Sequence, residues 1–251
     1  DDYEDATGVD ASASSTSAEL QGSVGAKYYE APTTAVAAVG DYQDYSSSGH
    51  TITSLGGVTT STTQKKFGTK SIHFPAGGAP ESYLLLPASS DFAFGTGAWT
   101  IESWLYIENF TRDSTIFSAC NPASQNWNAN GSGSLSIALQ GNGKIWFSTS
   151  GGSTNYYANG VNWPTGQWAH IAITHAASST DVKVYKDGTS TWTVAMGTST
   201  FGPTSGQFNI GTYDQNNDHR ELAGYVDEYR ISNIERYTSN FTPSTTAFTS
   251  D

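Results

Sequence analysis

Asp227 and Glu228 stand side by side in LAGYVDEYRIS, residues 222–232, a string that otherwise reads as a buried strand. Two adjacent acids suggest three kinds of chemistry: general acid–base work, cation binding, or the anchoring of a loop. Hydrolysis of a glycosidic bond needs two carboxyl groups about 5 Å apart for retention and further apart for inversion. On one strand that means acids at i and i+2 or i+4, because successive side chains point to opposite faces. Asp227 and Glu228 are neighbours, so an unbulged strand separates them, and Glu102 in TIESW stands alone. Glu102 reads as a surface or packing-edge acid. No catalytic residue is assigned, and the chain reads as non-enzymatic.

Without a bulge, Ala223, Tyr225, Asp227, Tyr229 and Ile231 share one face of that strand. Leu222, Gly224, Val226, Glu228 and Arg230 share the other, which puts Glu228 and Arg230 within reach of an ion pair. Asp227 then sits among apolar neighbours. A lone buried carboxylate costs several kcal/mol unless it is hydrogen-bonded or bound to a cation. Two arrangements satisfy it: backbone N–H groups from a crossing loop, or a structural Ca²⁺ held by oxygen ligands.

Other reactive layouts are missing. His50, His73, His170, His175 and His219 show no metal-motif spacing, and His170 in QWAHIAITH reads as a packed core residue. The single cysteine, Cys120, excludes an intrachain disulfide and reads as a buried thiol. No nucleophile elbow, phosphate loop or dinucleotide fingerprint is present.

Sugar recognition asks for an aromatic platform ringed by amides and acids. Three loop-like strings supply candidates. NPASQNWNANGSGS offers Trp127 and Asn128, GGSTNYYANGVNWPTG offers Tyr156, Tyr157 and Trp163, and GTYDQNNDHRE offers Tyr213 and Asp214. Loop aromatics often only pack a loop onto its sheet, and Trp163 before Pro164 reads that way.

These residues need a scaffold, and the pattern supplies one. WTIESWLYIE alternates: Trp99, Ile101, Ser103, Leu105 and Ile107 point one way, Thr100, Glu102, Trp104 and Tyr106 the other. That is a half-buried strand. KSIHFPA, SYLLLP, STIFSAC, GSLSIALQ, GKIWFSTS, QWAHIAITHAA, TDVKVYKDG, TWTVAMG and QFNIGTYD follow the same reading, with GNGK and KDGT as hairpin turns. SSSGHTITSLGGVTTSTTQKK reads as loop with weak β character, and SNIERYT as at most one helical turn. Residues 1–27 hold almost no large apolar side chains and read as a flexible or partner-ordered arm on a domain of residues 28–251. The net charge of −12 argues against nucleic acid or an anionic membrane as partner, and no apolar run is long enough to span a bilayer. Only 14% of residues are charged, which suits an extracellular or particle surface.

Six strings in order, FGTKSIHFPAGGAPESYLLLP, FAFGTGAWTIESWLYIE, GQWAHIAITH, DVKVYKDG, FNIGT and LAGYVDEYRIS, resemble the laminin-G-like, concanavalin A-like lectin/glucanase domain over about Asp44 to Pro243. The resemblance implies an all-β jelly-roll sandwich of two curved antiparallel sheets. It also implies calcium at a sheet edge as an option, with Asp44 joining Asp227 in the oxygen shell. The glucanase branch carries a cluster of alternating acids that this chain lacks. The closing RYTSNFTP is similar to versions in phage and environmental viral structural proteins. The expectation is therefore a virion or surface structural protein with a lectin-like module that binds host glycans. It would partner capsid, tail or other virion proteins, or form a homo-oligomer, on a virion surface or outside the cell. A secreted carbohydrate-binding module and a purely structural decoration or fibre protein without ligand are the alternatives. One departure stands out: small residues, TTAVAAVGDYQ, occupy the place of the family's apolar opening strand.

Overall fold

The computed structural model describes residues 26–30, 42–46, 48–77, 82–110, 113–120, 135–149, 154–158, 161–197, 201, 207–212 and 220–248. Sixteen strands follow in chain order among them: β1 (Ala26–Glu30), β2 (Gln43–Asp44), β3 (Thr53–Leu55), β4 (Thr59–Ser61), β5 (Ser71–Phe74), β6 (Tyr83–Leu86), β7 (Trp99–Ile107) and β8 (Asp113–Cys120). Then come β9 (Leu135–Gln140), β10 (Lys144–Thr149), β11 (Thr154–Ala158), β12 (Trp168–His175), β13 (Asp181–Lys186), β14 (Thr189–Ala195), β15 (Gln207–Ile210) and β16 (Gly224–Ser232). The helical content of the described residues is one 3-10 turn, Ser90–Phe92, which the sequence pattern did not announce.

The strands form a jelly-roll-like sandwich. Sheet A runs β14-β13-β12-β7-β16-β1-β2, with β5 also beside β16 and β4 beside β5; sheet B runs β11-β10-β9-β8-β15-β6-β3. Both hairpin signals hold. Residues 141–143 join β9 to β10, and Asp187 (φ 49°) with Gly188 (φ 76°) joins β13 to β14 in the left-handed backbone such tight turns demand. Two strings read as loops contain strands: β3 and β4 in TITSLGGVTTS, and β11 in TNYYA. Their runs are short and rich in Thr, Ser and Asn, so side-chain pattern alone marks them poorly.

Between the sheets lies one apolar core. Trp99, Ile101, Leu105 and Ile107 of β7 meet Phe117, Ile137, Phe147 and Phe208 of sheet B. Each such side chain contributes about 1.5–3 kcal/mol on burial. The expected half-buried β7 is buried on both faces, however, with Tyr106 alone only partly covered. The cause is residues 233–248, which return across the outer face of sheet A as a strap. Thr100 Oγ1 donates to Ile234 O at 2.7 Å, Tyr185 OH donates to Tyr237 O at 3.2 Å, and Phe241 N donates to Gly188 O at 2.9 Å. Tyr237 and Phe241 stack at 3.6 Å. SNIERYT forms no helical turn; it is part of this strap. Any side chain at Gly188 would meet the strap, since a Cβ there falls 1.9 Å from Phe241 O.

Strand β16 changes neighbour halfway. Gly224–Val226 pairs with β5, while Tyr229–Ser232 pairs with β1. A bulge between Asp227 and Arg230 marks the change, with Glu228 at φ 54°.

Candidate functional site

The bulge corrects the simple alternation on β16. Val226, Tyr229 and Ile231 face the core, while Asp227, Glu228 and Arg230 turn toward groups on the outer side of sheet A. Asp227 Oδ2 accepts from Lys66 N at 2.8 Å and Phe67 N at 3.1 Å, and Oδ1 accepts from Glu228 N at 3.1 Å. The carboxylate fills the gap where neither β5 nor β1 reaches β16, gripping the loop that enters β5. Burial pushes its pKa up to about 6, against the pull of those N–H donors. Glu228 Oε2 accepts from Phe248 N and so anchors the end of the strap.

Arg230 donates to Glu102 Oε1 through Nε at 2.8 Å, with Nη2 at 2.7 Å from the same oxygen, and Phe248 lies 4.0 Å from its guanidinium carbon. Glu102 is fully buried, not a surface acid. Tyr237 OH donates to its Oε2 at 2.7 Å, while His170 Nε2 stands off at 3.4 Å. Burial pushes the Glu102 carboxyl up, but the Arg230 charge and these neighbours overcome it and hold the pKa near 2. Such a group stays ionised and shielded, so it has no proton to donate near neutral pH. His170 is buried among Trp104, Phe241 and Phe248, as a packing residue.

Asp44 does separate work. Its Oδ1 accepts from Ser46 N, and its Oδ2 accepts from His50 N and lies 2.6 Å from His50 Nδ1; His50 Nε2 reaches Asp91 Oδ2 at 3.1 Å. Asp44 pairs with Tyr29, which pairs with Tyr229, so it sits two strands from β16, about 10 Å away. The residues do not fit a shared Ca²⁺. The Asp227 oxygens face N–H donors that would repel a cation, and among the described residues no group of three His, Cys, Asp or Glu is placed so that it could hold a metal ion.

The outer face of sheet B has a different chemistry. Register places Tyr157, Trp146, Ala138 and Thr115 in one row across β11, β10, β9 and β8. Two residues along, Ser148, Ser136, Ser118 and Asn209 form a second row, with Ser118 Oγ and Ser136 Oγ 2.9 Å apart. Two residues the other way lie Lys144, Gln140 and Asp113; Gln140 Nε2 donates to Asp113 Oδ1 at 2.8 Å, and Arg220 pairs with Asp113 Oδ2. Gln207 Nε2 donates to Asn209 Oδ1 at 3.3 Å. Beside them a groove of about 460 Å³ is lined by Thr51, Thr53, Leu85, Pro87, Ala88 and Gln207. Thr115 Oγ1 and Ser148 Oγ are buried on this face with no hydrogen-bond partner among the described residues. Buried hydroxyls rarely remain so.

Of the aromatic candidates, Tyr157 is 49% exposed at the sheet edge, with Lys144 Nζ 5.9 Å from its ring. Tyr156 packs on the core from the opposite face, and Trp163 is buried within it. Trp127, Asn128, Tyr213 and Asp214 lie outside the described residues, as does most of the 1–27 arm. Sequence reasoning passed over Thr115, Ser118, Ser136, Ser148, Gln140 and Asn209. The available signal was the Ser and Thr at alternate positions in GSLSIALQ and KIWFSTS.

Comparison with solved structures gives the binding domain of botulinum neurotoxin DC in complex with SialylT, with a TM-score of 0.59 and 13% identity over 84% of this chain and 48% of that one. The botulinum neurotoxin serotype G binding domain gives 0.59 and 11%, over 84% and 48%. Domain 4 of AbnA, a GH43 extracellular arabinanase from Geobacillus stearothermophilus, in complex with arabinotriose, gives 0.53 and 24%, over 74% and 83%. The chain thus spans about half the length of the neurotoxin domains, and these likenesses establish the fold. No curated protein matches by sequence. Residues 77–239, well over half of the chain, match a laminin G-type family, and with the sandwich observed here they show that the chain belongs to the concanavalin A-like lectin/glucanases superfamily.

Proposed function

We propose that this chain is a non-catalytic carbohydrate-binding module of a secreted or surface-exposed protein, taking a neutral oligosaccharide on the outer face of sheet B. The observation that carries the reading is the ring of Tyr157, 49% exposed at the edge of that face, with the partly exposed Lys144, Gln140 and Asp113 in the neighbouring row. Sugar hydroxyls both donate and accept, so they suit the amide of Gln140 and the carboxylate of Asp113, and an aromatic ring covers their C–H faces. Arg220 neutralises Asp113, so the face does not demand a charged ligand. Trp127 and Asn128, which lie between β8 and β9 in sequence, are proposed as further glycan contacts. The arabinotriose complex of AbnA domain 4 and the SialylT complex of the neurotoxin domain support a sugar as ligand. Because AbnA is an extracellular enzyme, the secreted module is favoured over a component of a virion.

A panel of neutral and sialylated oligosaccharides, arabinotriose included, titrated by calorimetry tests this. Tyr157→Ala should weaken the best ligand about tenfold, the loss of about 1.4 kcal/mol expected of a central aromatic contact. Absence of heat across the whole panel would overturn the reading.

A further inference from the structure

The strap leaves one row of sheet A uncovered. His73 of β5, Tyr225 of β16, Tyr106 of β7 and Trp168 of β12 are direct partners in register. Their in-facing neighbours Ile72, Val226, Leu105 and Ala169 belong to the core, so the four rings stand on the outer face. They touch in sequence: His73 and Tyr225 stack at 4.5 Å, and Tyr225–Tyr106 and Tyr106–Trp168 meet edge to face at 5.7 and 5.6 Å. The row is open to solvent at His73, Tyr106 and Trp168. At its edge stands Glu108, 38% exposed, with Oε2 at 3.8 Å from His73 Nε2. The adjacent row on the same face contrasts with it. Trp104 and His170 are closed off by Lys66, whose Nζ lies 3.7 Å from the Trp104 ring, and by Phe241 and Phe248.

We propose that this stripe is a second sugar-binding platform, which takes a linear neutral polysaccharide laid across the strands. Four strands at about 4.8 Å spacing give a track of roughly 14 Å. A sheet face offers no free backbone N–H or C=O, so a peptide cannot add to it as a strand, and recognition rests on side chains. Those side chains are rings tipped with hydroxyl, imidazole and indole N–H groups, beside the Glu108 carboxylate, which bonds the Tyr225 side chain and has further lone pairs to accept a sugar hydroxyl. That set complements alternating C–H faces and hydroxyls rather than a phosphate or sulfate, which the Glu108 charge would repel. Because rings follow one another across strands, each added sugar unit meets another ring. Affinity rises with chain length, in contrast to the single-ring site at Tyr157. The class of ligand rests on the lectin reading; the location does not.

The test is a pull-down of the full chain on insoluble neutral polysaccharides (cellulose, chitin and linear arabinan), alongside calorimetry with arabinotriose. Trp168→Ala, at the rim, should reduce partition onto the solid about tenfold, and Tyr106→Phe, which removes one hydroxyl and no ring, several-fold. Both should leave the short-oligosaccharide titration in place, and Tyr106→Phe, which keeps every ring contact, should leave the melting temperature in place as well. Unchanged partition in both variants overturns the platform. So does wild-type protein that binds short oligosaccharides but no solid, or solid binding abolished by Tyr157→Ala alone. Protein that binds neither overturns the platform together with the lectin reading.

Discussion

Arg230 grips Glu102 with two nitrogens on a single oxygen, Nε at 2.8 Å and Nη2 at 2.7 Å, beneath a strap that arrives more than a hundred residues later. Tyr237 of the strap closes the second oxygen, and Phe248 covers the guanidinium. Removing one member leaves a buried charge unpaired, whereas replacing both leaves an apolar interface. Glu102→Gln should therefore destabilise the fold by about 3–5 kcal/mol, and Glu102→Leu with Arg230→Met should recover most of the loss. Urea midpoints at constant slope would show it; additive losses in the double variant would contradict it.

Acid should act in two opposite steps. Asp227 carries a folded pKa of about 6 against an ordinary 3.8, so the folded state holds the proton more tightly. Its contribution to stability grows as pH falls from about 6 to about 4, on the order of 1–3 kcal/mol. Glu102 is depressed to about 2 from 4.5, so its contribution is complete above about 4.5 and disappears as pH falls through 2. Thermal midpoints should thus rise on mild acidification and collapse in strong acid. Asp227→Asn should flatten the first step and leave the second.

Chelation separates the two readings of Asp227. Its oxygens accept N–H groups from Lys66, Phe67 and Glu228, so EDTA should leave the melting temperature where it was. A drop on chelation that Asp227→Asn abolishes would put a cation there instead.

How much of this was legible in the sequence depends on distance along the chain. The core side of β7 could be read from WTIESWLYIE, because Trp99, Ile101, Leu105 and Ile107 recur every second residue. A period of two cannot say whether the other side is wet. Glu102 and Trp104 are buried by Tyr237, Phe248 and Lys66, partners that leave no local trace at β7. The loop-gripping role of Asp227 was among the two readings of the sequence, since a carboxylate between Val226 and Tyr229 must have partners. The bulge beside it was not, because a glutamate at positive φ gives no glycine to signal it. Tyr157 was found as an aromatic but placed in a loop, since the five residues TNYYA between Ser153 and Asn159 carry too little pattern to declare an edge strand.

The strap should be intolerant of any side chain at Gly188. Its φ of 76° already disfavours L-residues, and a Cβ would meet backbone, Phe241 O, rather than a flexible side chain. Gly188→Ala should cost about 2–4 kcal/mol and expose the Tyr237–Phe241 stack, read as increased binding of a hydrophobic dye and a shift in tyrosine fluorescence. An alanine variant with unchanged midpoint would mean that the strap is held elsewhere.

Glu228 offers the sharpest separation of backbone from side-chain effects. In an ordinary strand, glycine is less stable than alanine by roughly 0.5–1 kcal/mol, because it gains more freedom on unfolding. At Glu228 the backbone is left-handed, φ 54°, which costs a residue bearing a Cβ about 1–2 kcal/mol and glycine little. The side chain offsets that strain by accepting from Phe248 N. Glu228→Ala keeps the strain and loses the acceptor. Glu228→Gly loses the acceptor and relieves the strain. The usual order should therefore invert, with the glycine variant the more stable by about 1 kcal/mol, and both below wild type. Glu228→Gln, which keeps one oxygen acceptor, should fall between wild type and glycine. Chemical unfolding of the three variants measures this directly. If alanine proves the more stable of the pair, the bulge does not hold its left-handed residue in solution, and the change of neighbour along β16 must be made another way.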